Sequence, residues 1–158
     1  MSGSGAARLG PIDGSGLRVA IVAASWHDDV MAGLIAGATA ACTDAGAAST
    51  VVRVPGAFEL PIAAAACADA GYDAVVALGA VVRGGTPHFD YVCDAATTGL
   101  TQVAVASRTP VGFGLLTCDS VEQALDRAGL PGSSEDKGRE ATEAAIATAL
   151  VLRDLPTP

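Results

Sequence analysis

Chemistry is concentrated in one short stretch, Arg83-Gly84-Gly85-Thr86-Pro87-His88. It follows an apolar run and precedes a helical pattern, the setting of a strand-to-helix turn. Thr86 suits a helix N-cap, and Pro87 suits the first helical position, where a missing N–H costs nothing. A helix start offers free N–H groups and a partial positive charge. Gly84 and Gly85 would let an anion approach that backbone closely. An ordinary, well-capped connection would use the same residues. His88 adds a group that exchanges protons near neutrality, with an ordinary pKa of about 6.5. An acid–base side chain beside an anion seat is what chemistry on a small phosphorylated substrate needs.

Other side chains could join that turn. Trp26, the only tryptophan, directly follows a short apolar run. It offers a flat face for stacking a heterocycle, or serves as a core or rim residue. Phe113 is a second candidate for stacking. Phe58 and Glu59 follow the tight Pro55-Gly56 turn and could offer backbone and carboxylate hydrogen bonds to a hydroxylated ligand. Arg127 is expected to end a short helix, where the helix dipole alone would account for a cation. Ser133 and Asp136 have capping-box spacing, which puts Lys137 in the first turn of the last helix. A cation there opposes the dipole, so either an anion or carboxylate lies nearby or the side chain is solvated. His27 reads as a loop or cap residue. Cys42, Cys67, Cys93 and Cys118 include no C-x-x-C pair and sit among apolar neighbours. They are expected to be reduced, buried thiols, with no metal or disulfide role.

These residues must be positioned by alternating strands and helices. The run Arg18–Ala24 is short, apolar and β-branched, as a buried strand should be. Residues 28–45 have helical spacing, with Gly46 as the cap. A second strand is expected over 50–54 and a helix over 61–70, opened by Pro61. Ala74–Val82 reads as a third buried strand. A long helix should start at Pro87. A fourth strand is expected over 110–117, a short helix over 120–128 and a last helix over 135–153. Strands alternating with helices imply a parallel sheet covered on both faces, and right-handed crossovers leave few arrangements. The expected fold is a three-layer α/β/α sandwich with a flavodoxin-like four-stranded parallel sheet, order 2-1-3-4. In such sheets the ligand crevice lies at the carboxyl ends of the strands, which selects the loops carrying the residues above. Residues 17–155 would form one domain, preceded by a loose arm over 1–16.

Composition narrows the function class. The chain has 158 residues and a formal charge of −8, with only nine Lys and Arg. That excess of acid argues against a nucleic-acid partner, although a local cluster of cations can still hold a small anion. No apolar run reaches the roughly 18–20 residues that span a bilayer. The first residues lack the basic start and apolar centre of a signal peptide, so the cytoplasm is the expected compartment.

Taken in order, the motifs resemble the lumazine synthase family, and the wording is closest to actinobacterial members. The landmarks are Ser25-Trp26-His27, Gly56-Ala57-Phe58-Glu59-Leu60-Pro61, Ala77-Leu78-Gly79, Arg83-Gly84-Gly85-Thr86-Pro87-His88-Phe89-Asp90-Tyr91-Val92, Phe113-Gly114, Glu122-Gln123-Ala124, Asp126-Arg127-Ala128-Gly129 and Asp136-Lys137-Gly138. The resemblance spans almost all of residues 17–155. It implies a transferase that condenses 5-amino-6-(D-ribitylamino)uracil with 3,4-dihydroxy-2-butanone 4-phosphate, the penultimate step of riboflavin biosynthesis, with no metal and no cofactor. Trp26 would stack on the pyrimidine, and Ala57, Phe58 and Glu59 would hold the ribityl chain. Val81 and Val82 would pair with the uracil edge through their backbones. Gly84, Gly85 and Thr86 would receive the phosphate, with Arg127 as its charged partner, and His88 would move protons. Phe113 and Lys137 would come from the adjacent subunit of a homopentamer. Gly85 departs from the polar or larger residue of many members, which keeps the amide but removes any side-chain contact. The segment between Arg127 and Lys137 is longer than in icosahedral members, which favours the pentamer. A flavodoxin-like module that binds a flavin or lumazine without turnover, and an assembly protein that has lost catalysis, are the alternatives. His88 together with Arg127 is what mere binding would not require.

Overall fold

A computed structural model describes residues 10–156. Four parallel strands, β1 (Arg18–Ala24), β2 (Ala48–Val54), β3 (Ala74–Val82) and β4 (Val111–Cys118), lie in the order β2-β1-β3-β4. The helices between and after them are α1 (Asp28–Asp44), α2 (Leu60–Asp69), α3 (His88–Ser107), α4 (Val121–Leu125) and α5 (Lys137–Arg153), and a single 3₁₀ turn, Ala57–Glu59, leads into α2. This is the α/β sandwich and strand order that the βα rhythm predicts.

The pattern of burial explains the arrangement. β1 and β3 are central and read as unbroken apolar runs because both of their faces are covered. Alternate residues divide between two cores. Val19, Ile21 and Ala23 face α1 and α5, while Ala20, Val22 and Ala24 face α2 and α3. β2 is an edge strand and is largely exposed, which suits its polar Ser49, Thr50 and Arg53.

Element ends differ from the expected ones where capping decides them. β2 starts at Ala48, two residues earlier than the apolar pattern suggests, because the Ala48 N–H already bonds the Leu17 carbonyl. Pro110 stays outside β4 because it has no N–H to give the ladder, although its carbonyl accepts from Val75. α4 is only Val121–Leu125, with Ser120 as cap accepting from Gln123 N–H at 3.4 Å. α5 starts at Lys137 rather than Glu135. Asp136 is its cap and accepts from Arg139 N–H at 2.9 Å. Ser133 is therefore no capping-box partner; its hydroxyl donates to the Leu125 carbonyl and accepts from Leu130 N–H. At α3, Pro87 occupies the cap position and His88 is the first helical residue, so Thr86 lies one step outside and does not cap.

Of the stretch expected to be a loose arm, residues 1–9 lie outside the described residues. Within the remainder, Ile12 packs against the larger core and the Gly14 N–H bonds the Ala45 carbonyl at 2.7 Å.

Candidate active site

The sheet's switch point falls between β1 and β3, because the chain leaves β1 toward one edge through β2 and returns to the other edge through β3 and β4. Crevices open at such points, outside the carboxyl ends of the strands. Here β3 also outruns β1. Their pairing ends at Ala23 with Leu78, while β3 continues beside β4 alone as far as Val82. The Val75 and Arg83 N–H groups donate to the Pro110 and Cys118 carbonyls. Hydrogen-bonding direction alternates along a strand, so odd-numbered residues of β3 face β4. Val82 thus turns its N–H and C=O to the open crevice edge, and Val81 turns its own toward β4.

Two loops meet at the far side of that edge. The Ser25 hydroxyl donates to the Val54 carbonyl at 2.8 Å and ties the end of β1 to the end of β2. His27, the α1 cap, is left-handed at φ 62, ψ 68, and its carbonyl accepts from Met31 N–H. A non-glycine residue in that region is uncommon and mildly strained. The sharp reversal it makes leaves Trp26 standing 68% exposed at the crevice. A Cβ on Gly56 would come 3.2 Å from Glu59 Oε2 and 3.6 Å from Trp26 Nε1, so the carboxylate and the indole converge on that bare backbone. Ala57 is buried, whereas Phe58 is 64% exposed.

The turn after β3 forms the other wall. Gly84, Gly85, Thr86 and His88 are all exposed. A Cβ at Gly84 or Gly85 would touch nothing within 4 Å, so packing does not demand glycine at either place. Arg83 is differently placed. Its Nε donates to Asp119 Oδ1 at 2.8 Å, its Nη1 to Asp90 Oδ1 at 3.3 Å, and its guanidinium stacks 4.1 Å over Phe89. Those carboxylates, Asp119 foremost, raise its already high pKa. These partners are missed by sequence reasoning; the only local signal is Phe89-Asp90, in the first turn of α3.

The two other candidate cations, Arg127 and Lys137, lie between α4 and the start of α5. Arg127 lies two residues beyond α4, not on its last turn. Its Nη1 donates to the Gln123 carbonyl at 2.8 Å, and its own carbonyl accepts from Lys137 N–H at 3.0 Å. Its charge reaches the end of β4, where it opposes the upward push of burial on the Cys118 thiol. The Lys137 ammonium sits 2.7 Å from Glu135 Oε2 and 2.6 Å from Glu140 Oε2, with its side chain 17% exposed. Nearby carboxylates, not solvation, are therefore what accompany it. Burial alone would lower its pKa; the two carboxylates more than offset this, and the net shift is upward.

Phe113 is 47% exposed and pairs in register with Ala77. That is five residues short of Val82, about 16 Å along the strand at the usual rise. One chain therefore gathers Trp26, Ala57, Phe58, Glu59, Val82 and the 84–88 turn around the crevice, and leaves its own Phe113 outside. The cysteines are free; Cys42, Cys67 and Cys118 are buried, while Cys93 is only partly so. Among the described residues no three His, Cys, Asp or Glu side chains gather as a metal site. Among the same residues, no helix is long and apolar enough to cross a membrane.

Comparison with known proteins agrees with this geometry. The family model described as 6,7-dimethyl-8-ribityllumazine synthase matches residues 16–153. The 6,7-dimethyl-8-ribityllumazine synthase of Clavibacter michiganensis is 60% identical over 157 residues, covering 98% of each chain. Those of Kineococcus radiotolerans and a Nocardioides species are each 63% identical. Coverage is 100% of this chain and 99% of the relative for the first, and 99% and 98% for the second. On the family model and on relatives this similar over their whole length, the chain belongs to the 6,7-dimethyl-8-ribityllumazine synthase family.

Proposed function

We propose that the crevice at the ends of β1, β2 and β3 is where this chain carries out the reaction of its family. The enzyme is a transferase that condenses 5-amino-6-(D-ribitylamino)uracil with 3,4-dihydroxy-2-butanone 4-phosphate. It releases 6,7-dimethyl-8-ribityllumazine, phosphate and water, the penultimate step of riboflavin biosynthesis. The observation that carries the assignment of the crevice is the convergence of the Trp26 indole and the Glu59 carboxylate on Gly56, across from the open edge of Val82.

Each role follows from what a group can do. Trp26 is exposed and flat enough to stack on the pyrimidine, and Val82 can give one donor and one acceptor to its edge. Val81 contributes by fixing that register against β4. Glu59 accepts from ribityl hydroxyls, while Ala57 and Phe58 shape the wall beside it. Gly84, Gly85 and Thr86 receive the phosphate at the start of α3. The amine attacks the ketone and water leaves as the imine forms. Phosphate departs next and the resulting enol becomes a ketone; the second nitrogen attacks that carbonyl and closes the ring as a second water leaves. His88 gives and takes the protons these steps exchange, and holding both substrates in one crevice removes much of the entropic barrier.

Arg127 supplies charge to the departing phosphate. Its backbone bond to Lys137 makes the two cations one unit, so a neighbouring subunit that donates Lys137 brings Arg127 with it. Phe113 comes from that neighbour as well, since its own crevice is out of reach. A homopentamer with sites between subunits, working in the cytoplasm, meets these requirements. The decisive experiment mixes purified protein with both substrates and follows the fluorescent lumazine; a rate no higher than the uncatalysed background sinks the reading. Arg127→Ala should raise KM for the butanone phosphate by about 10-fold or more, as loss of a charged hydrogen-bond partner does, with little change for the pyrimidine. Equal effects on both would mean the phosphate lies elsewhere.

A further inference from the structure

Arg83 opens the turn assigned to the phosphate, yet its guanidinium points at protein. Its three anchors come from both sides of the turn it begins. Asp119 belongs to the loop after β4, while Phe89 and Asp90 lie in the first turn of α3. Its backbone N–H is also fixed, to the Cys118 carbonyl at 2.9 Å. Residues 84–88 are therefore a loop closed at its base by one side chain. Exposed ion pairs taken singly hold little. A planar fork caught by two carboxylates and a ring at once loses much of its freedom.

Asp119 carries the connection further. Its own N–H donates to Gln123 Oε1 at 2.9 Å, and the Gln123 carbonyl takes Arg127 Nη1 at 2.8 Å. Through Asp119 and Gln123 the base of the 84–88 turn is thus tied to the Arg127 that this subunit would lend to the neighbouring crevice.

We propose that Arg83, held by Asp119, is a positioning residue that presents the amides of residues 84–86 to the phosphate. Arg83 touches no substrate. Its work is to keep the glycine pair, which packing leaves free, in one orientation. The proposal rests on the reading of residues 84–86 as the phosphate seat.

Steady-state kinetics on the assembled enzyme tests it, with inorganic phosphate as a competing ligand. Asp119→Asn keeps the shape but loses the charge that fixes Arg83. It should raise KM for the butanone phosphate and the inhibition constant of phosphate by about 10-fold, the scale of a small misplacement of binding groups, while KM for the pyrimidine stays within about twofold. Arg83→Lys should behave the same way, because one ammonium cannot span Asp90 and Asp119 and lie over Phe89. A KM for the butanone phosphate that is unchanged or lower in Asp119→Asn overturns the proposal, the lower value marking Arg83 as a direct ligand set free. An equal rise in both KM values overturns it too, since that is what general damage to the fold would give. Thr86→Val separates this from the reading beneath it. If Thr86→Val raises the phosphate terms and Asp119→Asn does not, only the clamp fails. If neither does, the phosphate seat itself is misplaced.

Discussion

The two helical layers on this sheet finish differently. On one face, α1 and α5 bury Met31, Leu34 and Ile146 completely against β1 and β3. The fit there is so close that a side chain on Gly138 would strike the Leu34 carbonyl, and one on Gly112 the Ala141 carbonyl. On the other face, α2 and α3 bury Leu60, Ala64, Ala96 and Leu100 but leave Ile62, Tyr91 and Val105 each 74% exposed. Phe58 and Phe113 stand out on that side as well. Large apolar side chains left in the open mark a surface that something else covers. The first face is closed around its core, with Val151 and Leu152 exposed only at the end of α5. The second leaves apolar surface open, as the proposed contacts with ligand and with neighbouring subunits require.

That contrast can be broken in order of expected size. Gly138→Ala should lose about 3 kcal/mol or more of stability, because the new methyl meets backbone that cannot move aside. Denaturant unfolding would show it, and an unchanged midpoint would mean that α1 and α5 are not tightly seated. His88→Ala should do the opposite. Turnover should fall by about 100-fold, the lower end for a positioned acid–base group, with the unfolding curve unmoved. Replacing Ile62 and Tyr91 with serine should leave far-ultraviolet dichroism intact. In native mass spectrometry it should shift the protein from the assembled species to single subunits. If the assembly survives, that surface has another purpose. The smallest effect belongs to Gly85→Ala. Its backbone is not in the left-handed region and its surroundings are empty. A gain of about 0.5 kcal/mol from a less flexible unfolded chain is expected, read from the denaturation midpoint.

What could be read beforehand divides along similar lines. β1 and β3 have the bounds their unbroken apolar runs predict, since full burial leaves its mark on every residue. The order of the strands followed from the rhythm of elements and the handedness of crossovers. Ends set by a single side chain were harder. Pro87 takes the cap of α3 where the pattern offers Thr86, and Asp136 caps α5 where it offers Ser133. Least legible were contacts between distant parts of the chain. Asp119 is 36 residues from Arg83, and no local pattern announces that the one holds the other. The residues proposed for the crevice stand out in the sequence by type and order, but the split between Val81 and Val82 depends on the phase of β3 against β4. Sequence does not carry that phase.

The overrun of β3 past β1 leaves four residues, Gly79 to Val82, with a strand on one side only. An edge of that kind is usually a liability, since its bare amides invite any passing chain. Here the gap is too short for a strand and about the right length for one heterocycle. A pyrimidine seated against Val82, as proposed, would complete the sheet where β1 stops and act as the missing rung of the ladder. Such a rung should steady the whole fold, by about 2.7 kcal/mol once its concentration is a hundred times Kd.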